Sequence, residues 1–66
     1  MSLSYRTEHK VGDMVKDNFD RVFVVLAEKR NGDGRQYSVN VQYVSGLKPY
    51  HGENYWAFAD DFVEIT

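Results

Sequence analysis

The sequence predicts an all-β fold: a small, five-stranded antiparallel barrel with a long central hairpin and a single helical turn before the last strand. Three observations carry this expectation. Along Gln36 to Tyr43, Tyr37, Val39, Val41 and Tyr43 alternate strictly with Gln36, Ser38, Asn40 and Gln42, and successive side chains of a strand point to opposite faces. Val22 to Ala27 is an unbroken apolar run rich in β-branched types, which reads as a strand covered on both faces for part of its length. Between them lies Asn31-Gly32-Asp33-Gly34, and Asn-Gly and Asp-Gly supply the positive φ angles that hairpin turns demand.

Taken in order, residues 1–9 are polar and are expected to be a flexible N-terminal segment, with residues 10–66 forming one small β-barrel domain. Gly12-Asp13 is a turn signal before a brief first strand, Met14 to Lys16. Lys16 to Asp20 is a polar loop carrying one ring, Phe19. Arg21 to Arg30 and Arg35 to Val44 then make the hairpin. Ser45 to Asn54 holds the sole proline and two glycines and reads as a loop. Tyr55 to Ala59 is the fourth strand, Asp60-Asp61 a tight link whose acids are placed to cap one helical turn, and Phe62 to Ile65 the closing strand. The expected core is Val11, Val15, Val22, Val24, Leu26, Val39, Val41, Phe58, Val63 and Ile65. Elsewhere no 3.6-residue period lasts long enough for a free-standing helix.

A chain of 66 residues buries little of its surface, and its 15% aromatic content is the natural compensation. With no cysteine, disulfides, thiolate metal sites and cysteine nucleophiles are excluded. Met1 to Lys10 shows no secretory leader, and the longest apolar run is far short of a membrane span. A soluble cytoplasmic protein with no membrane partner is the expectation.

The layout resembles that of small Src-homology-3-like barrels in the broad sense, which takes in Tudor and KOW modules and many short bacterial and phage proteins. Val11 to Val15 (VGDMV), the hairpin pair and Tyr55 to Ile65 (YWAFADDFVEI) carry the resemblance, which covers roughly Lys10 to Ile65. It implies a binding module rather than an enzyme.

Chemistry-bearing constellations are sparse. Lys29 to Asn40 superficially matches a calcium loop at Asn31, Asp33 and Gly34, but it places a lysine at the first ligand position and Asn40 at the twelfth. His9 and His51 lie in no metal-ligand spacing. No hydroxyl lies in a nucleophile elbow or beside a patterned base. No catalytic residue, metal or cofactor is therefore expected.

Two surfaces remain. Phe19, Tyr50, Tyr55 and Trp56, with Asp60 and Asp61, are the candidates for an aromatic protein-binding groove. The same rings, with Asp17 or Asp20 adding charge, are also the candidates for a cage around a methylated lysine. The alternative surface is a nucleic-acid patch of Lys29, Arg30, Arg35, Gln36, Ser38 and Asn40, in which amides and arginines hydrogen-bond bases or phosphates. A net charge of −2 weighs against that class. The expected function is a non-catalytic protein-interaction module, a small bacterial or phage accessory or regulatory protein. It would bind a protein or peptide through the groove or a strand edge, or pair with copies of itself.

Overall fold

The β-branched and aromatic stretches form strands where the sequence places them, joined at the turn residues. The structure, a computed structural model, describes residues 8–65. The strands are β1 (Met14–Lys16), β2 (Val22–Arg30), β3 (Gln36–Ser45), β4 (Asn54–Phe58) and β5 (Val63–Glu64), with a 3-10 turn at Ala59–Asp61. They make one antiparallel sheet in the order β4-β3-β2-β1-β5. Among the described residues there is no α-helix, and hence none long and apolar enough to cross a membrane.

The β2–β3 hairpin turns through Asn31 to Arg35, where Gly34 takes φ +87° and its N–H donates to the Asn31 carbonyl at 2.9 Å. Strand pairing does not close the sheet into the expected barrel: β4 and β5 are its two edges. The sheet nevertheless curls around Phe23, which is fully buried. The Phe23 ring meets Tyr43, Tyr55 and Phe62 edge-on at 6.2, 5.8 and 5.5 Å, so residues from opposite ends of the sheet converge on one side chain. Such perpendicular ring pairs add to simple area burial.

The core is Val15, Phe23, Val25, Val39, Val41, Ala59 and Phe62, with Tyr43, Tyr55 and Ala57 packed against it. Only Val15, Val39 and Val41 of the expected set are among the buried residues. Val22 and Val24 lie half-buried and Leu26 is exposed, because Phe23 and Val25 point inward. Phe58, Val63 and Ile65 are exposed, their inward places taken by Ala57 and Phe62, and Val11 is exposed as well.

Bulges explain much of the hairpin. Its register shifts at Val22/Phe23, Val25/Ala27 and Lys29/Arg30, leaving Val44, Leu26 and Tyr37 as extra residues. Each extra residue flips the alternation that follows it. Beyond the bulge at Tyr37, the inward position falls to Gln36, which is buried, while Tyr37 is exposed.

Gln36 belongs to a polar plug that seals this end of the core. Its side-chain amide pairs with the His9 backbone: His9 N–H donates to Oε1 and Nε2 donates to the His9 carbonyl, both at 2.8 Å. The same Nε2 donates to Glu28 Oε1 at 2.7 Å. The His9 ring, 1% exposed, donates from Nε2 to the Ala59 carbonyl at 3.0 Å and meets Glu64 Oε2 through Nδ1 at 2.6 Å. Arg30 covers the plug, with Nε 2.9 Å from Glu28 and Nη1 3.3 Å from Glu8. Of the segment expected to be flexible, residues 1–7 lie outside the described residues, whereas His9 is fixed within the domain by these bonds.

Candidate functional site

An open groove of about 640 Å³ runs beside β4. Both faces of this strand line it: Tyr55 and Ala57 from the core side, Trp56 and Phe58 from the outer side. A cavity reached by both faces of one strand lies at that strand's edge. Phe19, Arg21, Asp61 and Phe62 form the facing wall.

The loop after β1 is organised by Asp17. Its Oδ1 accepts from the N–H groups of Phe19 and Arg21, both at 3.0 Å, and its Oδ2 accepts from Arg21 Nε at 2.7 Å. Arg21 Nη2 also lies 2.7 Å from that oxygen. Burial pushes the Asp17 carboxyl up, but the hydrogen bonds from Arg21 and Phe19 and the Arg21 charge outweigh it, holding its pKa below the ordinary 3.8. The guanidinium also lies 5.0 Å over the Phe19 ring. This loop packs on the chain after β3, where Gly46 adopts φ +99° and a Cβ would fall 3.0 Å from Arg21 Cα and Asp20 O. Tyr43 Oη donates to the Gly46 carbonyl and ties the two loops to the strand.

Tyr55 stands at the floor of the groove. Burial raises its hydroxyl pKa; Arg21 opposes the shift, and the carboxylates of Asp17 and Asp61 reinforce it. Asp61 makes no side-chain hydrogen bond or ion pair among the described residues, and it lines both the groove and a neighbouring hollow that Arg35 borders. Neither it nor Asp60 caps the 3-10 turn: no side-chain cap bond is made, and Phe62 N–H donates to the Ala59 carbonyl at 3.3 Å instead.

Four of the six expected groove residues thus converge: Phe19, Tyr55, Trp56 and Asp61. Tyr50, 96% exposed, is not part of the lining, and its ring lies 5.8 Å from that of His51, which does line the groove. Asp60 faces a neighbouring hollow with Arg35 and Tyr37. The rings do not form an empty cage. Phe19 already carries Arg21, and Trp56 carries Lys29 Nζ at 4.4 Å, while Asp20 pairs with Lys16 at 3.4 Å.

The six residues of the alternative patch are dispersed. Gln36 is buried in the plug and Arg30 is held by Glu8 and Glu28. Ser38 Oγ donates to the Ala57 carbonyl at 3.0 Å, and Asn40 Oδ1 accepts from Asn54 at 2.9 Å. Arg35 lies toward the Asp60 hollow. Lys29 does stand beside an exposed ring, Trp56.

Arg21 is central to the site and was not singled out from the sequence. Its signal was the four-residue spacing to Asp17 across a short polar loop, which brings the two side chains together once Asp20 turns the backbone through φ +60°. Among the described residues no three His, Asp or Glu side chains converge as metal ligands. Comparison of the chain with protein-family models, curated proteins and solved structures found no match.

Proposed function

We propose that the protein is a non-catalytic, cytoplasmic interaction module built on a Src-homology-3-like small barrel, and that it binds a protein or peptide in the groove beside β4. The observation that carries this reading is the coincidence of an aromatic-lined groove with an unpaired strand edge. Rings give contact area at little conformational cost, and an open edge offers backbone hydrogen bonds. Strand order supports the barrel type, since β4 and β5 are the sheet's two edges yet both ends of the sheet pack on Phe23.

A random peptide library selected on the full chain tests the reading. Selected peptides should quench Trp56 fluorescence, bind with little dependence on salt, and lose roughly tenfold or more in affinity on Trp56→Ala, as a central aromatic contact does. Failure to select any peptide rejects it.

A second reading, single-stranded nucleic acid, draws on Lys29 over the exposed Trp56 ring, with Asn40 and Asn54 close by on the outer face. Base stacking on a ring beside a cation is the recurrent chemistry of such binding. Oligonucleotide affinity that falls steeply with salt and disappears in Lys29→Ala supports this alternative. Absence of binding to DNA and RNA at low salt removes it.

A further inference from the structure

The edge of β4 has a defined set of free backbone groups. Tyr43 N–H donates to the Glu53 carbonyl at 2.6 Å, so the hydrogen-bonded pairs recur at Val41 with Tyr55 and Val39 with Ala57. The backbone N–H and C=O groups of Asn54 and Trp56 and the N–H of Phe58 therefore point away from β3, while the Phe58 carbonyl opens the 3-10 turn that follows.

Edge strands in folded proteins are ordinarily blunted by lysines, prolines, bulges, inward charges or shortness. The other edge, β5, has two such features, being two residues long with Glu64 turned inward onto His9. β4 has none of them: its five residues, Asn-Tyr-Trp-Ala-Phe, pair with β3 in one unbroken register. Asp61 adds an unpaired negative charge on the core side of this edge, while Trp56 and Phe58, 44% and 68% exposed, flank its outer side.

We propose that the groove takes an extended peptide segment of a partner protein as a sixth strand on β4. Its residues alternate between basic side chains, which face Asp61, and apolar ones, which cover Trp56 and Phe58. The proposal rests on the interaction reading above and adds the conformation and charge of the bound segment. Charge complementarity selects the occupant: a second copy of β4 would bring Asn54, Trp56 and Phe58 to the edge and no cation to Asp61.

The probe is a capped seven-residue peptide alternating valine and arginine, compared with its valine–glutamate counterpart and titrated into the full chain. On binding, amide hydrogen exchange at Trp56 and Phe58 should slow by about tenfold or more as those groups gain partners. Methylating the peptide amides on one alternate set should abolish binding, and methylating the other set should not. Asp61→Asn should weaken the arginine peptide by about threefold, the range of a solvent-exposed ion pair, and the glutamate peptide should bind the wild type at least about threefold more weakly than the arginine peptide.

If library peptides bind in the groove without protecting these amides, the added-strand proposal is overturned while the interaction reading stands. Protection of the same amides in a concentration-dependent dimer, without peptide, assigns the edge to a second copy and also overturns it. Equal binding of both charge variants overturns the role of Asp61. Only failure of the peptide selection itself removes the interaction reading as well.

Discussion

Two polar regions border the core: in one, His9, Gln36, Glu28 and Glu64 turn their polar atoms toward one another, and in the other, Asp61 and the edge of β4 turn theirs to solvent. Each region carries an arginine held by carboxylates, Arg30 by Glu8 and Glu28 and Arg21 by Asp17. The first region is closed because a single glutamine amide satisfies a backbone N–H, a backbone carbonyl and a glutamate together. The second stays open because the loop carrying Arg21 satisfies itself and leaves β4 unpartnered. Polar groups of the sealed region are satisfied within the protein, whereas Asp61 and the outward backbone groups of β4 face solvent.

Breaking the sealed region should have the largest effect. Gln36→Leu leaves the His9 backbone groups and Glu28 without their buried partner, and a loss of about 3 kcal/mol is expected. In a domain this small that lowers the melting temperature by about 12–24 °C. Peptide selected on the wild type should still bind the folded fraction with unchanged affinity, because the plug and the groove share no side chain.

Asp17→Asn attacks the open region's scaffold. It removes the charge that holds Arg21 and should lower stability by about 2 kcal/mol, the scale of charge-assisted hydrogen bonds, and weaken peptide binding through the displaced wall. It also has a pH signature. The folded-state pKa of Asp17 lies below its ordinary 3.8, so the folded form takes up this proton less readily than the unfolded chain. The stabilisation is complete above the unfolded value and is lost as pH falls through the lower, folded one. Denaturant midpoints measured from pH 6 down to pH 2 should show this contribution in the wild type and lack it in Asp17→Asn.

Gly46→Ala probes the same scaffold through its backbone. The added Cβ would press on Arg21 Cα and Asp20 O while φ stays positive, and a loss of about 1–2 kcal/mol is expected from that conformation alone. Altered chemical shifts at Phe19 and Arg21 would report the moved wall.

Trp56→Ala should be the mildest for stability and the most severe for binding. The ring is nearly half exposed and its partner is a surface lysine, so the change in unfolding free energy should stay within about 1 kcal/mol. A loss well beyond that would make the ring a structural element and erase the contrast between the two regions.

Several features were legible from local sequence. Asn31 to Gly34 marked the hairpin turn because few residues accept positive φ. Phe19, Tyr55, Trp56 and Asp61 were marked as a site because rings beyond the needs of a small core attract notice. Gln36 lies inside because of the bulge at Tyr37, and His9 because of contacts across 27 and 55 residues; neither cause leaves a local pattern. Arg21 was overlooked because its partner lies across a loop whose turn depends on a positive φ at Asp20.

By itself, the sequence determined the strand class, the hairpin and the link before the last strand, since alternation, β-branching and turn chemistry act over a few residues. The tertiary structure alone decided which face of β2 and β4 became core, which region was sealed and which edge was left open. Those outcomes depend on register, and a single bulge reverses the facing of every residue beyond it.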